Sequence, residues 1–273
     1  MPDKRTSIQD WSQYYHSRNH NEACHKAVNF NDFRNTPHKL ILSEIGKIID
    51  AKRNQDKEPN ILEIGAGDSN ILIDIANRYN LKNEIYGLDY LQEACLRLRK
   101  KAEKQGIPIK TICADLFSPP PALLGRFDIV LSFGVVEHFT DLTHVIEAIS
   151  KYASKNGLVF TLIPNNKDGI YGWMMKKFNK KVYDSHVLYS KSDLENAHNQ
   201  AGLQVLQCKY LVSSNFGMLS WCFADRKRGF LYWIYKQLTR VSKTVWFFES
   251  KFGHLKPVSL FAPYILCTAV KKK

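Results

Sequence analysis

A run of buried-strand character that breaks into a glycine turn, Asn60-Ile-Leu-Glu-Ile-Gly-Ala-Gly-Asp-Ser69, constrains this chain more than any other stretch. Ile61, Leu62 and Ile64 read as a short strand inside a sheet. Gly65 and Gly67 let the backbone after it turn tightly and approach a ligand closely. A turn built for a dinucleotide carries Gly-x-Gly-x-x-Gly and aims a helix N-terminus at the pyrophosphate. Asn70 stands where the last glycine of that pattern belongs, and Glu63 sits two residues before the first. A carboxylate there repels a pyrophosphate and attracts a cation. The turn is therefore expected to hold a cationic ligand.

Four more strand patterns follow at regular intervals. Glu84-Ile-Tyr-Gly-Leu-Asp89 and Ile109-Lys-Thr-Ile-Cys-Ala-Asp115 each end in a carboxylate, and such a group at a strand end can accept from ribose hydroxyls or an adenine amino group. Phe127-Asp-Ile-Val-Leu-Ser-Phe-Gly134 flows into Val135-Val-Glu-His-Phe139, and Gly157-Leu-Val-Phe-Thr-Leu-Ile-Pro164 is the fifth strand. S-adenosylmethionine, with an ammonium and a sulfonium close together, is a cationic ligand of the required kind. In these motifs and their order the chain resembles the class I S-adenosylmethionine-dependent methyltransferases, in the small-molecule (ubiquinone and natural-product) branch with a Val-Glu-His-Phe-like turn after strand four. The resemblance covers residues 58–211 and again 263–270. It departs at Ser69, where the family usually has a third glycine, although serine can cap the helix that starts there.

The resemblance implies a cofactor site made by Glu63, Gly65, Ala66, Gly67, Asp89 and Asp115. Ser132, Phe133 and Gly134 would line its methionine side, with Tyr90 and Leu116 flanking ribose and adenine. The plainer reading of Asp89 and Asp115 is that each caps a turn or helix. Methyl transfer needs the acceptor and methyl in line, water excluded, and a base where the acceptor carries a proton. His138 is the leading base candidate, paired with Glu137, because it follows strand four at the carboxyl edge and titrates near neutrality. The competing role for His138 is to orient its turn. His186 and Tyr189 form a second candidate group in the loop after strand five, and Tyr14 and Tyr15 are candidates to close over the cofactor. No metal is expected: His16, His20 and His25 fall at intervals of four and five residues with no acidic cluster beside them.

Composition sets outer limits. The 273 residues are 44% hydrophobic and 24% charged, enough for one large core with a small cap. No run approaches the roughly 20 apolar residues of a membrane span. Six cysteines without a Cys-x-x-Cys pair, and an N-terminus without an apolar leader, suggest a reducing, cytoplasmic setting. The net charge of +13 is concentrated late: eleven Lys or Arg lie between Arg226 and Lys273, against Glu249 alone. That surplus suggests an anionic or lipid-linked small-molecule acceptor, or contact with a membrane surface, unless it is a solvated face.

Strand and helix patterns alternate, with helices expected at 69–80, 90–105 and 141–155. This predicts an α/β, Rossmann-like, doubly wound sheet of seven mostly parallel strands, with ligands at the carboxyl ends. An N-terminal helical cap occupies 1–57, its helix opening at Thr36-Pro37. The core takes 58–211 and 263–273, with strand six at 203–211 and strand seven at 264–270. Between those strands, 212–262 is a helical insertion. Its stripe of Ile234, Leu238, Val241, Val245 and Phe248 is expected to pack over the site as a lid, against the sheet or a second subunit in a homodimer, or, through 229–249, on a membrane. The favoured function is O-methylation of a phenolic or quinone, sugar or lipid-linked intermediate. The alternatives are small-molecule N-methylation, RNA or protein methylation through the basic region, a non-catalytic cofactor-binding scaffold, and NAD chemistry. Glu63 and Asn70 weigh against NAD. The lack of an Asn-Pro-Pro-Tyr-like motif after strand four weighs against nucleic acid.

Overall fold

The computed structural model describes residues 11–12, 28–55, 57–224 and 227–272. His16, His20, His25, Tyr14 and Tyr15 lie outside the described residues. Helix α1 (Thr36–Arg53) opens with Pro37 in its first turn and buries Ile41, Leu42, Ile45 and Ile49, a spacing that keeps one face apolar. It leads to β1 (Ile61–Ile64), α2 (Asn70–Tyr79), β2 (Ile85–Asp89), α3 (Gln92–Lys104), β3 (Ile109–Cys113) and β4 (Phe127–Phe133). Then come α4 (Leu142–Ser150), β5 (Ala153–Pro164), α5 (Ile170–Phe178), α6 (Lys180–Asp184), α7 (Lys191–Gln200), β6 (Gln204–Leu211), α8 (Phe230–Phe252) and β7 (Tyr264–Val270).

The seven strands run in the order β3-β2-β1-β4-β5-β7-β6, with β7 antiparallel to both neighbours and the remaining pairs parallel. This is the expected doubly wound sheet. One apolar cluster on it includes Leu62, Tyr152 and Ile265, and a second includes Leu42, Ile73 and Phe160. All four residues of β1 are buried, as a central strand covered on both faces requires. The order reverses between β2 and β4 around β1, so the crevice at the carboxyl end of β1 is where such a sheet takes its ligand.

Three expectations change. The helix expected to run to 155 stops at Ser150, because Tyr152 is buried and Ala153 already pairs with Phe127 in the sheet. The stretch after β5, read as an irregular excursion, contains α5 and α6. Helix α5 packs Tyr171, Met174 and Met175 against the 3-10 helix Phe216–Phe223 and Tyr235 of α8. The stripe on α8 also faces differently from the lid reading: Val241 and Phe248 are exposed, while Tyr235, Ser242, Trp246 and Glu249 are buried. Trp246 Nε1 donates to the Ser214 carbonyl at 2.8 Å, which settles the face that points inward.

A buried imidazole ties α7 to β5. His198 Nδ1 donates to the Leu194 carbonyl (2.8 Å), which leaves Nε2 to accept from Thr161 Oγ1 (3.0 Å). Burial pushes its pKa from 6.5 down to about 4. Between those values the unfolded chain takes up a proton that the folded protein refuses. Stability is thus fully present above pH 6.5 and declines as pH falls through the window, by about 2 kcal/mol between pH 7.5 and 5.0. Denaturant unfolding at those two pH values should show a difference smaller by that amount in His198→Gln, and an unchanged difference would refute the assignment.

Candidate active site

The site is assembled at the carboxyl ends of β1, β2 and β4. Gly65 and Gly67 take positive φ (66° and 50°), a conformation that costs glycine little. A Cβ at 65 would lie 2.4 Å from Val135 Cγ2, so the turn after β4 packs directly on the glycine turn. Ala66 N donates to the Leu88 carbonyl (3.0 Å) and Ser69 Oγ accepts from Leu72 N (3.1 Å), capping α2. Serine at the third-glycine position thus starts the helix. Lys101 of α3 reaches the loop, bonding the Asp68 carbonyl and Asn70 Oδ1. The turn motif after β4 includes Val135 without giving it this role, and no motif marks Lys101, because each acts through space on a turn far away in sequence.

Glu63 lies beneath this turn, only 4% exposed, and its Oε2 has no hydrogen-bond partner. Burial pushes its pKa up to about 8, against a hydrogen bond from Ser69 that lowers it. A buried, unanswered carboxyl oxygen is a standing demand for a donor or a cation. Asp89 braces the turn: Oδ2 accepts from Gly67 N and Oδ1 from Leu91 N, both at 2.9 Å. Asp115 Oδ1 accepts from Phe117 N (3.0 Å). The turn-capping role considered for both is therefore present, and a carboxylate keeps further lone pairs for a ligand. Tyr90, half-buried, follows Asp89, while Leu116 and Ala66 are buried in the apolar clusters. On the β4 side, Ser132 is buried with its hydroxyl unpartnered, Phe133 is half-buried, and Gly134 is exposed with φ 66°.

Beyond Gly134 a 3-10 turn, Val136–His138, buries Glu137 and His138. The loop before α7 is stitched to it: Val187 N donates to the Glu137 carbonyl (2.7 Å), and Tyr189 Oη donates to the carbonyls of Phe139 (2.7 Å) and Thr140 (3.1 Å). The Tyr189 hydroxyl proton is thus spent on the main chain. His138 Nδ1 lies 3.1 Å from the Ser185 carbonyl and His186 Nδ1 lies 2.7 Å from the Val182 carbonyl. A carbonyl only accepts, so each Nδ1 carries the proton and each neutral ring keeps its basic nitrogen at Nε2. The rings sit 4.9 Å apart, and Trp11 meets His138 edge-on at 5.2 Å. Burial pushes Glu137 up to about 8 and lowers His186. One donor atom from each of Glu137, His138 and His186 lies within 4.8 Å of the others. A two-histidine, one-carboxylate set of that size also suits a divalent transition metal, which the histidine spacing in the sequence did not suggest.

A family model described as a methyltransferase domain matches residues 34–208. The chain belongs to that family and is an S-adenosylmethionine-dependent methyltransferase. Its residues fit that cofactor, since the buried, unpartnered Glu63 Oε2 answers a cation. Geranyl diphosphate C-methyltransferase from Streptomyces coelicolor A3(2), solved with Mg2+, geranyl diphosphate and S-adenosyl-L-homocysteine, shares the fold. It is 11% identical over 96% of this chain and 97% of that chain, with a TM-score of 0.56. The (4+2)-cyclase SpnF is 15% identical over 84% of this chain and 80% of that one, at 0.56. A Galdieria sulphuraria structure assigned to sarcosine dimethylglycine methylation is 14% identical over 95% and 97%, at 0.58. No curated protein matches the chain.

Glu63→Gln keeps the shape and removes the charge. We expect it to weaken S-adenosylmethionine binding by about 10- to 100-fold, the range for a hydrogen bond to a charged group. With the Glu63 pKa at about 8, cation binding near neutral pH must displace its proton. Calorimetry in two buffers of different ionisation enthalpy should show that release in the wild type and its loss in the variant. Equal affinity and equal proton release in both proteins would sink the role.

Proposed function

We propose that this enzyme methylates a small-molecule acceptor, at oxygen, with His138 as the base. The observation that carries this reading is the tautomer of His138: Nδ1 donates to the Ser185 carbonyl, so the neutral ring has its basic nitrogen at Nε2. The bound cofactor supplies an electrophilic methyl group on a sulfonium. Glu63, the glycine turn and Asp89 hold it, with Asp115, Tyr90 and Leu116 along the adenosine and Ser132, Phe133 and Gly134 along the methionine portion.

His138 Nε2 would take the proton of the acceptor hydroxyl, while the cofactor, when bound, would supply the methyl group and leave as S-adenosylhomocysteine. Positive charge on His138 then draws neighbouring Glu137 toward its carboxylate form, and His186 supports the ring from the other side. Tyr189 positions this group by clamping the loop. A small molecule fits better than a polymer because Trp11, His186 and the 185–189 loop crowd the approach to His138. Phenols, quinone precursors, sugars and lipid-linked intermediates carry the required hydroxyl. The geranyl diphosphate bound by one structural relative is likewise a small acceptor.

His138→Ala should lower kcat by about 100- to 10,000-fold, the usual contribution of a general base, and leave S-adenosylmethionine affinity within about twofold. Turnover should also survive chelator treatment. The test is methyl incorporation from labelled donor across a panel of phenolic, sugar and prenyl-linked hydroxyl compounds. Loss of donor affinity instead of kcat would make His138 a cofactor-positioning residue. Loss of activity to chelator with recovery in Zn2+ or Mn2+ would turn the Glu137–His138–His186 group into a metal site.

A further inference from the structure

We infer that the outward face of α8, with the loop that follows it, docks this protein on the surface of an anionic lipid bilayer. The inference goes beyond methyl transfer and is independent of which acceptor is methylated.

Helix α8 has two apolar faces; among the described residues one packs against α5 and the Phe216–Phe223 helix, and the other is exposed beside Phe247, which meets Phe33 edge-on. The inward face is fixed by polar contacts as well as packing. Besides the Trp246 bond, Phe216 N donates to Ser242 Oγ (2.9 Å) and Leu255 N donates to Glu249 Oε1 (3.1 Å). At about 100° per residue, Phe230, Val241, Phe248 and Phe252 fall on one stripe well away from that face. They are 73, 51, 54 and 84% exposed, and Trp233 beside them is 57% exposed. The patch continues past the helix through exposed Leu255, Val258, Leu260 and Phe261. Aromatic and aliphatic side chains held this far out are not a consequence of loose packing, because the bonds on the other face leave the helix no freedom to roll.

Charge selects the occupant. Lys236, Arg240, Lys243 and Lys251 are exposed along one flank of the stripe. Between Lys227 and Phe261 the acidic residue is Glu249, which is buried. An apolar stripe flanked by lysine and arginine lets the rings enter the headgroup boundary while the cations meet lipid phosphates. A second copy of the chain is a poorer fit, since a two-fold contact along α8 would set this basic flank against itself. Nucleic acid is also a poorer fit, because the rings are interspersed with exposed Val241, Leu255, Val258 and Leu260, aliphatic area that stacks no base but that a lipid boundary takes up. Among the described residues no helix is long and apolar enough to cross a membrane, so the contact is with its surface.

The position links docking to catalysis. β5 ends at Pro164 and β6 at Leu211, both opposite Tyr264 at the start of β7, so α8 rises from the same sheet edge as the cofactor turn. Asn165 Nδ2 donates to the Ser259 carbonyl (2.7 Å) and Tyr171 Oη to that of Phe261 (2.8 Å), joining the patch to the loop after β5. A membrane beneath α8 would place the acceptor entrance near the lipid surface.

The full chain should cosediment with vesicles of equal parts phosphatidylglycerol and phosphatidylcholine, and far less with phosphatidylcholine alone. Each basic residue neutralised should weaken binding about fivefold, so Lys236→Gln/Lys243→Gln should lose about 25-fold. Phe248→Ser/Phe252→Ser should abolish cosedimentation. Unchanged S-adenosylmethionine binding by both variants shows that they are folded, and that titration judges the methyltransferase site separately. Absence of vesicle binding by the wild type, or equal binding by both variants, would overturn the proposal. So would a solution dimer that Phe248→Ser/Phe252→Ser dissociates, or a salt-dependent RNA complex stronger than the vesicle complex.

Discussion

A buried carboxyl group in the middle of a parallel sheet, with one oxygen left unanswered, is the constraint around which this molecule is arranged. Glu63 sits on β1, opposite Gly87 of β2 and Leu131 of β4, and both neighbouring strands seal it from water. Keeping one of its oxygens buried without a donor costs free energy that a cationic ligand can return. The turn above it takes its shape from glycines at 65 and 67, both at positive φ, and from the Asp89 carboxylate, which grips Gly67 from the adjacent strand. The donor site is therefore a property of three strands and one turn acting together.

The same packing connects donor and acceptor chemistry. Val135 fills the space that the missing side chain of Gly65 leaves, and three residues later His138 projects from the turn that Val135 begins. A displacement of either turn must move the other. The loop that carries His186 is bound to this turn through Val187 and Tyr189, so the histidine pair, Glu137 and the donor turn form one mechanical unit. The helical layer of α5, the Phe216–Phe223 helix and α8 stands on the same edge of the sheet.

Much of this was legible in the sequence, and the limits have physical causes. The parallel strands announce themselves because a strand buried on both faces must be largely apolar, as Ile61–Ile64 is apart from Glu63 and Phe127–Phe133 is apart from Asp128 and Ser132. The acidic strand ends and the glycine turn mark the ligand edge without any coordinates. Helices α5 and α6 are not legible because they are short and glycines stand just before α5, at 169, and within its first turn, at 172. The stripe on α8 is legible, but a helix with two apolar faces gives no sign of which one is buried; the hydrogen bonds from Trp246 Nε1 to the Ser214 carbonyl and from Phe216 N to Ser242 Oγ decide it. The approach of His186 to His138 joins residues 48 positions apart through main-chain bonds, which side-chain identity does not encode.

The measurement that bears most directly on this account is calorimetric titration of the purified protein with S-adenosylmethionine and S-adenosylhomocysteine, with NAD as the control. The account predicts saturable binding of both adenosyl ligands at a single site, and no detectable heat with NAD. Binding of NAD, or of neither adenosyl ligand, would contradict it, because the buried Glu63 would then be serving something other than a methyl donor.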